Sequence, residues 1–137
     1  MRSQKSILLV EDDKVDVMTV KRAFKELKVV NRLVTAGNGE EALDILRNEE
    51  NEKPCFVLLD LNMPKMNGIE FLKIVKQDDV LKRIPVIVLT TSKEEQDRFE
   101  SFNLSVAGYM IKPVDFAKFL DMMKAINLYW TLSQLSE

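Results

Sequence analysis

The sequence predicts one α/β domain, a doubly wound parallel sheet of the (βα)₅ kind with helices on both faces. Short runs rich in Val, Ile and Leu alternate along the chain with amphipathic stretches, which is typical of βαβ units. The runs are short and end at polar residues, as strands buried on both faces do. A length of 137 residues fits one domain. Four expected strands are such runs: Ile7–Val10, Cys55–Leu59, Val86–Leu89 and Tyr109–Ile111. A fifth strand, Arg32–Ala36, is placed mainly by its position between helical patterns.

Amphipathic stretches follow these runs, and their apolar residues recur at helical spacing. The fourth stretch begins after Ser92, which we expect to cap the helix together with Glu95 three residues later. The fifth stretch is long and meets no glycine or proline after Pro113. The apolar positions are Val17, Val20, Phe24 and Leu27; Ala42, Leu43 and Leu46; Ile69, Leu72 and Val75; Phe99 and Phe102; and Phe116, Phe119, Leu120, Met123, Ile126 and Trp130.

Composition excludes several classes of function. Twenty basic and 22 acidic residues give a net charge of −2, whereas a mainly electrostatic nucleic-acid binder carries a basic excess. Histidine is absent, which excludes His-dependent nucleophile systems and His-ligated metals. The single cysteine, Cys55, excludes an intrachain disulfide. No apolar stretch suits a signal peptide or a bilayer span, so we expect a cytoplasmic protein that binds neither nucleic acid nor membrane.

Polar side chains stand where four of the predicted strands end. In an open parallel sheet these ends share one edge, and ligands bind there. Clustered carboxylates repel one another, and a hard cation such as Mg²⁺, together with a lysine, would offset that cost. One carboxylate could then attack a phosphoryl group, while the cations neutralise the transferred oxygens and a threonine donates to one of them. The residues are Glu11, Asp12, Asp13, Asp60, Thr90, Thr91 and Lys112.

Each of these residues also has an ordinary structural explanation. Acids at strand ends are often solvated or cap helices, and we interpret Asp13 as the N-cap of the first helix. Asp60 precedes a turn that it could help to form, and Thr90 could be a plain strand residue. Lys112 before Pro113 could simply end a strand. The joint placement at four strand ends is what favours a functional site.

Four segments that carry these residues resemble the receiver domain of two-component response regulators. They are ILLVEDD at 7–13, VLLDLNMPKMNG at 57–68, IPVIVLTTS at 84–92 and GYMIKP at 108–113. The resemblance extends from about residue 6 to residue 126. It implies the flavodoxin-like receiver fold, with strand order 2-1-3-4-5. We expect residues 1–137 to form a single receiver domain, with 127–137 extending the fifth helix.

The resemblance also implies a role for each matching residue. Asp60 matches the phosphoacceptor, and the resemblance implies that Asp60, Asp12 and the backbone carbonyl of Asn62 bind Mg²⁺. Glu11 is expected to act on the metal through water. Many family members have Asp in place of Glu11, so the longer side chain could make that contact direct.

Three further residues complete the machinery that the resemblance implies. Lys112 matches the phosphate-binding lysine, Thr90 the switch hydroxyl and Tyr109 the switch aromatic residue. The bond between Lys112 and Pro113 is commonly cis in this family, which would aim the lysine inward.

The resemblance predicts a response regulator that accepts a phosphoryl group from a sensor histidine kinase and is not itself an enzyme. An aromatic pair near the end of the chain, with Asn31 after a short first loop, resembles single-domain regulators paired with bacterial phytochromes. Because no output domain is visible, phosphorylation would switch a protein-interaction surface. The alternatives are a phosphorelay intermediate, a phosphate sink, or an interaction module that is never phosphorylated.

The fourth helix, fifth strand and fifth helix are expected to pair two copies in a homodimer. Trp130 and Leu135 lie beyond the usual end of the domain, where a second chain would cover them. The alternative is a tail that folds back on its own domain. Phe102 and Phe119 are interpreted as core residues.

Two other families fit the sequence less well. A haloacid-dehalogenase-like phosphatase needs a second Asp two residues after the nucleophile, where this chain has Asn62. A nucleotide- or flavin-binding domain needs a glycine-rich phosphate loop, and neither G-x-G-x-x-G nor a P-loop is present.

Overall fold

A computed structural model describes residues 5–63, 65–112 and 115–135, with side chains as far as Leu128. Five parallel strands form one sheet in the order β2-β1-β3-β4-β5, which confirms the predicted fold class and strand order. The strands are β1 (Ile7–Val10), β2 (Leu33–Ala36), β3 (Phe56–Asp60), β4 (Val86–Thr90) and β5 (Gly108–Ile111).

Five α-helices connect and flank the strands, and a short 3₁₀ turn at Leu81–Arg83 precedes β4. In the part of the chain that is described, no helix has the length and apolarity needed to cross a membrane. The helices are α1 (Lys14–Glu26), α2 (Gly39–Arg47), α3 (Gly68–Lys76), α4 (Lys93–Glu100) and α5 (Phe116–Leu135).

Strands β3 and β4 end one residue later than their apolar runs predict. Asp60 pairs with Leu89, and the Lys112 amide donates to the Thr90 carbonyl at 2.7 Å, so both polar residues belong to the ladder. Main-chain hydrogen bonds hold a parallel ladder, and a polar side chain does not end it. The consequence is that Asp60 and Thr90 are held by the sheet itself rather than by a loop.

The core forms two layers, because successive strand residues point to opposite faces of the sheet. Leu8 and Val10 pack with Phe71 and Phe99 on one face. On the other face, Ile7 and Leu9 pack against α1 and α5.

The two phenylalanines interpreted as core differ in the structure. Phe119 is 6% exposed, which confirms its assignment, whereas Phe102 is 42% exposed, so that assignment is wrong. Phe102 lies beyond the end of α4 at Glu100, where the helical spacing no longer places it on the buried face. The Lys73 ammonium lies 4.8 Å from its ring centroid and covers part of the ring.

Two helix caps lie directly beside the edge where the strands end. Asp13 caps α1, accepting from the amides of Val15 at 2.8 Å and Asp16 at 3.2 Å, as the sequence predicts. Ser92 caps α4 and accepts from the Glu95 amide at 3.1 Å. These caps fix where both helices start relative to the strand ends.

Some expectations fall outside the described residues. They are the cis peptide bond before Pro113 and the packing of the Trp130 and Leu135 side chains.

Gly68 allows α3 to start directly against the end of β3, and this generates a stability prediction. A Cβ on Gly68 would lie 2.8 Å from the Asp60 carbonyl oxygen and 2.9 Å from the Leu61 Cα. Because backbone atoms cannot rotate away, we expect Gly68→Ala to lower the free energy of unfolding by about 1–3 kcal/mol in urea titrations. Gly108→Ala is the control, since a Cβ there meets nothing within 4 Å. It should leave stability unchanged or raise it by about 0.5–1 kcal/mol; equal losses in both variants would contradict this account.

Candidate functional site

The candidate site lies at the carboxyl edge of the sheet, between β1 and β3. Strand order reverses here, because the chain moves from β1 to β2 on one side and returns to β3 on the other. Such a switch point leaves a crevice that is open to ligands. Glu11 and Asp12 follow β1, and Asp60 ends β3. One carboxylate oxygen from each of these three residues lies within 4.8 Å of the other two.

Two of the three acids are buried, which makes their negative charges costly. Glu11 and Asp60 are each 4% exposed, whereas Asp12 is exposed. Burial raises the pKa of Glu11 to about 7, although its hydrogen bond to Lys112 opposes the shift. Burial also raises the pKa of Asp60 above its ordinary value, against the attraction of the same lysine. The cluster therefore favours a bound cation.

Lys112 supplies positive charge to this cluster from the end of β5. Its Nζ lies 2.6 Å from Glu11 Oε1, 3.0 Å from Asp16 Oδ2 and 3.5 Å from Asp60 Oδ1. Burial alone would lower the pKa of Lys112, but the three acids outweigh burial and raise it above its ordinary value. The lysine is thus held as an ammonium beside Asp60.

Asp16 is a residue of the site that sequence reasoning missed. It lies in the first turn of α1, three residues after the cap Asp13, and its carboxylate faces Lys112. Its spacing could have identified it, because a residue in the first turn of a helix that starts at a strand end lies near the edge of the sheet. The sequence alone does not show that the lysine arrives there from β5.

The two expected switch residues lie in the neighbouring strands. Thr90 is fully buried, and its hydroxyl donates to the Met110 carbonyl oxygen at 3.4 Å. Tyr109 is half-buried, and its ring meets Phe99 edge to face at 5.6 Å between centroids. The structure therefore gathers the acids and Lys112 into one cluster, while Thr90 and Tyr109 make their contacts toward β5 and α4.

Asn62 lies beside the acidic cluster in the loop after β3. Its backbone N–H stabilises the charged form of the Asp60 carboxylate and so lowers the pKa of that acid, against the effect of burial. Its side-chain amide donates to Glu95 of α4 at 2.5 Å. The loop is therefore tied both to the buried acid and to a neighbouring helix.

The donor set fits a hard divalent cation. All three carboxylates offer oxygen, and ligands at 2.0–2.6 Å from one ion stand up to about 4–5 Å apart, as the oxygens do here. Lys112 is the cation that ion-pairs with Glu11 and Asp60 among the described residues, so negative charge is left over for a metal to balance.

Comparison with known proteins gives one consistent result. Residues 7–124 match the family model for the response regulator receiver domain. Response regulator Rcp1 of Synechocystis sp. is 38% identical over 130 residues, covering 92% of this chain and 88% of Rcp1. The probable methanogenesis regulatory protein FilR2 of Methanothrix harundinacea is 39% identical over 127 residues, covering 90% of this chain and 82% of FilR2.

Two solved structures extend the comparison to the fold. The phosphorylated cyanobacterial phytochrome response regulator RcpA superposes with a TM-score of 0.84 at 39% identity, covering 94% of this chain and 95% of that one. The Mn²⁺-bound form of Rcp1 superposes with a TM-score of 0.81 at 38% identity, covering 92% and 94%. The oxygen cluster here and the metal-bound relative together indicate a divalent metal site.

The raised pKa of Glu11 predicts a pH-dependent gain in stability for Glu11→Gln in metal-free protein. Folded Glu11 keeps its proton up to pH about 7, whereas the ordinary value is 4.5. The tighter proton binding stabilises the folded state below pH 4.5, and this contribution is lost as pH rises through about 7. The variant should therefore gain up to about 3 kcal/mol on the wild type between about pH 4.5 and pH 8.

Urea titrations across this pH range in the presence of a chelator measure the difference. Glu94→Gln, which removes an exposed carboxylate from α4, is the control and should follow the wild type. Parallel profiles for Glu11→Gln and the wild type would show that Glu11 does not carry the effect.

Proposed function

Because this chain belongs to the response regulator receiver family, we propose that it is a single-domain response regulator that accepts a phosphoryl group on Asp60 in a Mg²⁺-dependent reaction. The observation that carries the proposal is the position of Asp60. It is buried at the end of β3, 3.5 Å from the Lys112 ammonium and within 4.8 Å of the oxygens of Glu11 and Asp12. In this proposal, residues 127–137 extend α5 beyond the receiver domain.

The proposed reaction is a direct phosphoryl transfer. A carboxylate oxygen of Asp60 attacks phosphorus, and the bond between phosphorus and a histidine nitrogen of the partner kinase breaks. Asp12, Asp60 and the Asn62 carbonyl would hold Mg²⁺, with Glu11 acting through water. The ion supplies neutralisation of charge on the transferred oxygens. The Asn62 N–H and Lys112 favour the charged form of the Asp60 carboxylate, although burial raises its pKa.

Lys112 and Thr90 would bind the phosphoryl group once it is attached. Lys112 already lies beside Asp60 and is shared with Glu11 and Asp16, so a small movement brings it to a new anionic oxygen. The Thr90 hydroxyl would leave the Met110 carbonyl and donate to the phosphoryl group. Tyr109 would then turn into the space that opens, and the phosphoryl group shifts the population of the two states only by its differential contacts.

The expected partner is a sensor histidine kinase, and we propose a bacterial phytochrome. The receiver family implies a histidine kinase as phosphodonor. Similarity to RcpA, a cyanobacterial phytochrome response regulator, supports the narrower choice.

We also propose a homodimer through α4, β5 and α5. Three exposed apolar side chains in these elements or just beyond them support it, since exposed apolar groups favour association. They are Phe102 (42% exposed), Ile111 (42%) and Leu128 (59%). Ile111 ends β5, and Leu128 lies in the last part of α5, so a second copy could cover both.

The proposed phosphorylation of Asp60 can be tested by labelling the protein with acetyl phosphate. Incubation with acetyl phosphate and Mg²⁺ should add one phosphoryl group, seen by intact-protein mass spectrometry. Asp60→Asn should remove the label, because an amide is not a nucleophile toward phosphorus. Asp44→Asn, at an exposed position on α2, should label like the wild type. Labelling of Asp60→Asn at the level of Asp44→Asn would rule out this phosphoacceptor.

If the proposed dimer forms, a charge at Leu128 should disrupt it, whereas a charge at Val30 should not. Leu128→Glu places a charge on the proposed interface and should lower the mass found by light scattering. Val30→Glu, at a side chain that is 77% exposed in the loop between α1 and β2, should leave the mass unchanged. A wild-type chain that stays monomeric at high concentration, phosphorylated or not, would exclude the dimer.

A further inference from the structure

Glu95 is a buried carboxylate that the proposed reaction does not use. It lies in the first turn of α4 and is 7% exposed. The sequence predicts that it caps α4 together with Ser92, but its carboxylate accepts from the Thr91 amide at 3.2 Å instead. A second oxygen accepts from the Thr91 hydroxyl at 3.2 Å and from the Asn62 side-chain amide at 2.5 Å. Among the described residues, no cation forms an ion pair with it.

These hydrogen bonds tie together the two loops that border the candidate site. Asn62 belongs to the loop after β3, two residues after Asp60, and its backbone N–H lowers the pKa of that buried acid. Thr91 belongs to the loop after β4 and directly follows Thr90. The Glu95 carboxylate therefore bridges the segment that contacts the buried acid and the segment that follows the buried hydroxyl.

The side chains around Asn62 and Glu95 leave an open space that their hydrogen bond spans. A cavity of about 430 Å³ lies between the loop after β3 and helix α4, and its lining includes Met63, Ile69, Arg98 and Phe102. Asn62 and Glu95 both border the cavity, so their hydrogen bond joins its two walls. A buried carboxylate that lost this donor would go partly unpaired, which is costly. Because Asn62 is exposed and borders this cavity, its hydrogen bond to Glu95 restrains the Asn62 side chain.

We propose that Glu95 is a positioning residue of the metal site: by holding the Asn62 side chain, it fixes the Asn62 backbone at Asp60 and strengthens divalent-cation binding. The inference rests on the proposed function, because it takes the Asn62 carbonyl as a metal ligand. Groups that orient metal ligands without touching the metal typically contribute tenfold or more to metal affinity. Glu95 acts here through one hydrogen bond to one ligand.

Titration of the metal-free protein with Mg²⁺ alone, followed by calorimetry, tests the proposal. Glu95→Ala and Asn62→Ala should each weaken Mg²⁺ binding about tenfold. Asn62→Ala removes the side-chain amide and keeps the backbone carbonyl. The double variant should bind no more weakly than either single variant, because both remove the same hydrogen bond. Glu94→Ala, at an exposed position on the same helix, should bind within about twofold of the wild type.

Glu95→Gln separates positioning from simple attraction between charges. Its amide oxygen can still accept from Asn62, so its Mg²⁺ affinity should stay closer to the wild type than to Glu95→Ala. Wild-type affinity in Glu95→Ala or Asn62→Ala, fully additive losses in the double variant, or a loss in Glu95→Gln equal to that in Glu95→Ala would each overturn the proposal. If Glu95→Ala does not fold by circular dichroism, Asn62→Ala decides, because it removes the same bond from the loop side.

The same titration shows separately whether the metal site exists. Wild-type protein that binds no Mg²⁺ would overturn the proposed metal site, and the positioning role with it. Wild-type binding that Asp12→Asn weakens, together with unchanged binding in Glu95→Ala, would overturn the positioning role alone.

Discussion

The structure depends on a cluster of like charges that the sheet brings together at one edge. Glu11 and Asp60 are buried and share one ammonium, that of Lys112. Burial disfavours both carboxylates, and the raised pKa of each shows that the lysine only partly compensates. Because the buried carboxylates outnumber the ammonium, the site favours the binding of a further cation. Metal binding and phosphoryl chemistry at Asp60, as proposed, both draw on this imbalance.

The parallel sheet allows a short chain to hold these acids close together. The strand ends supply Glu11 and Asp60 from main-chain positions fixed by the ladder, where Val10 pairs with Leu59 and Asp60 with Leu89. The close approach of Gly68 to the Asp60 carbonyl places the start of α3 against the same strand end. Rigid backbone therefore sets the geometry of the acids, while the loops after β3 and β4 need separate restraints.

The sequence predicts the parts of this structure that depend on local pattern. Apolar runs identify four of the five strands, because buried parallel strands are apolar on both faces. The fifth, β2, is only partly buried, and its position between two helical patterns identifies it. The Asp13 cap is predictable because its partners are two and three residues away. The ends of β3 and β4 are not, since a ladder continues through a polar residue such as Asp60 when its neighbour still offers hydrogen bonds.

Contacts between distant segments, and in one case a helix end, explain where the structure differs from the sequence-based predictions. Asp16 joins the site only because β5 delivers Lys112, which is 96 positions away in sequence. Glu95 has the spacing of a capping residue, yet Asn62, which is 33 positions away, takes one of its oxygens. Phe102 has helical spacing relative to Phe99, but α4 ends between them and leaves it exposed. In each case the local pattern is correct and a tertiary contact or a helix end decides the outcome.

Any switching at this site has to act on contacts that are already made. The Thr90 hydroxyl has a partner in the Met110 carbonyl, and Tyr109 packs on Phe99, a fully buried residue of α4. Thr91, the next residue after Thr90, is held by Glu95 through both its amide and its hydroxyl. A new anionic group on Asp60 would therefore have to offer Thr90 and Lys112 better partners than they now have. Because an equilibrium shifts only by the difference in such contacts, the strength of the resting hydrogen bonds would limit how completely the proposed phosphorylation could switch the surface of α4, β5 and α5.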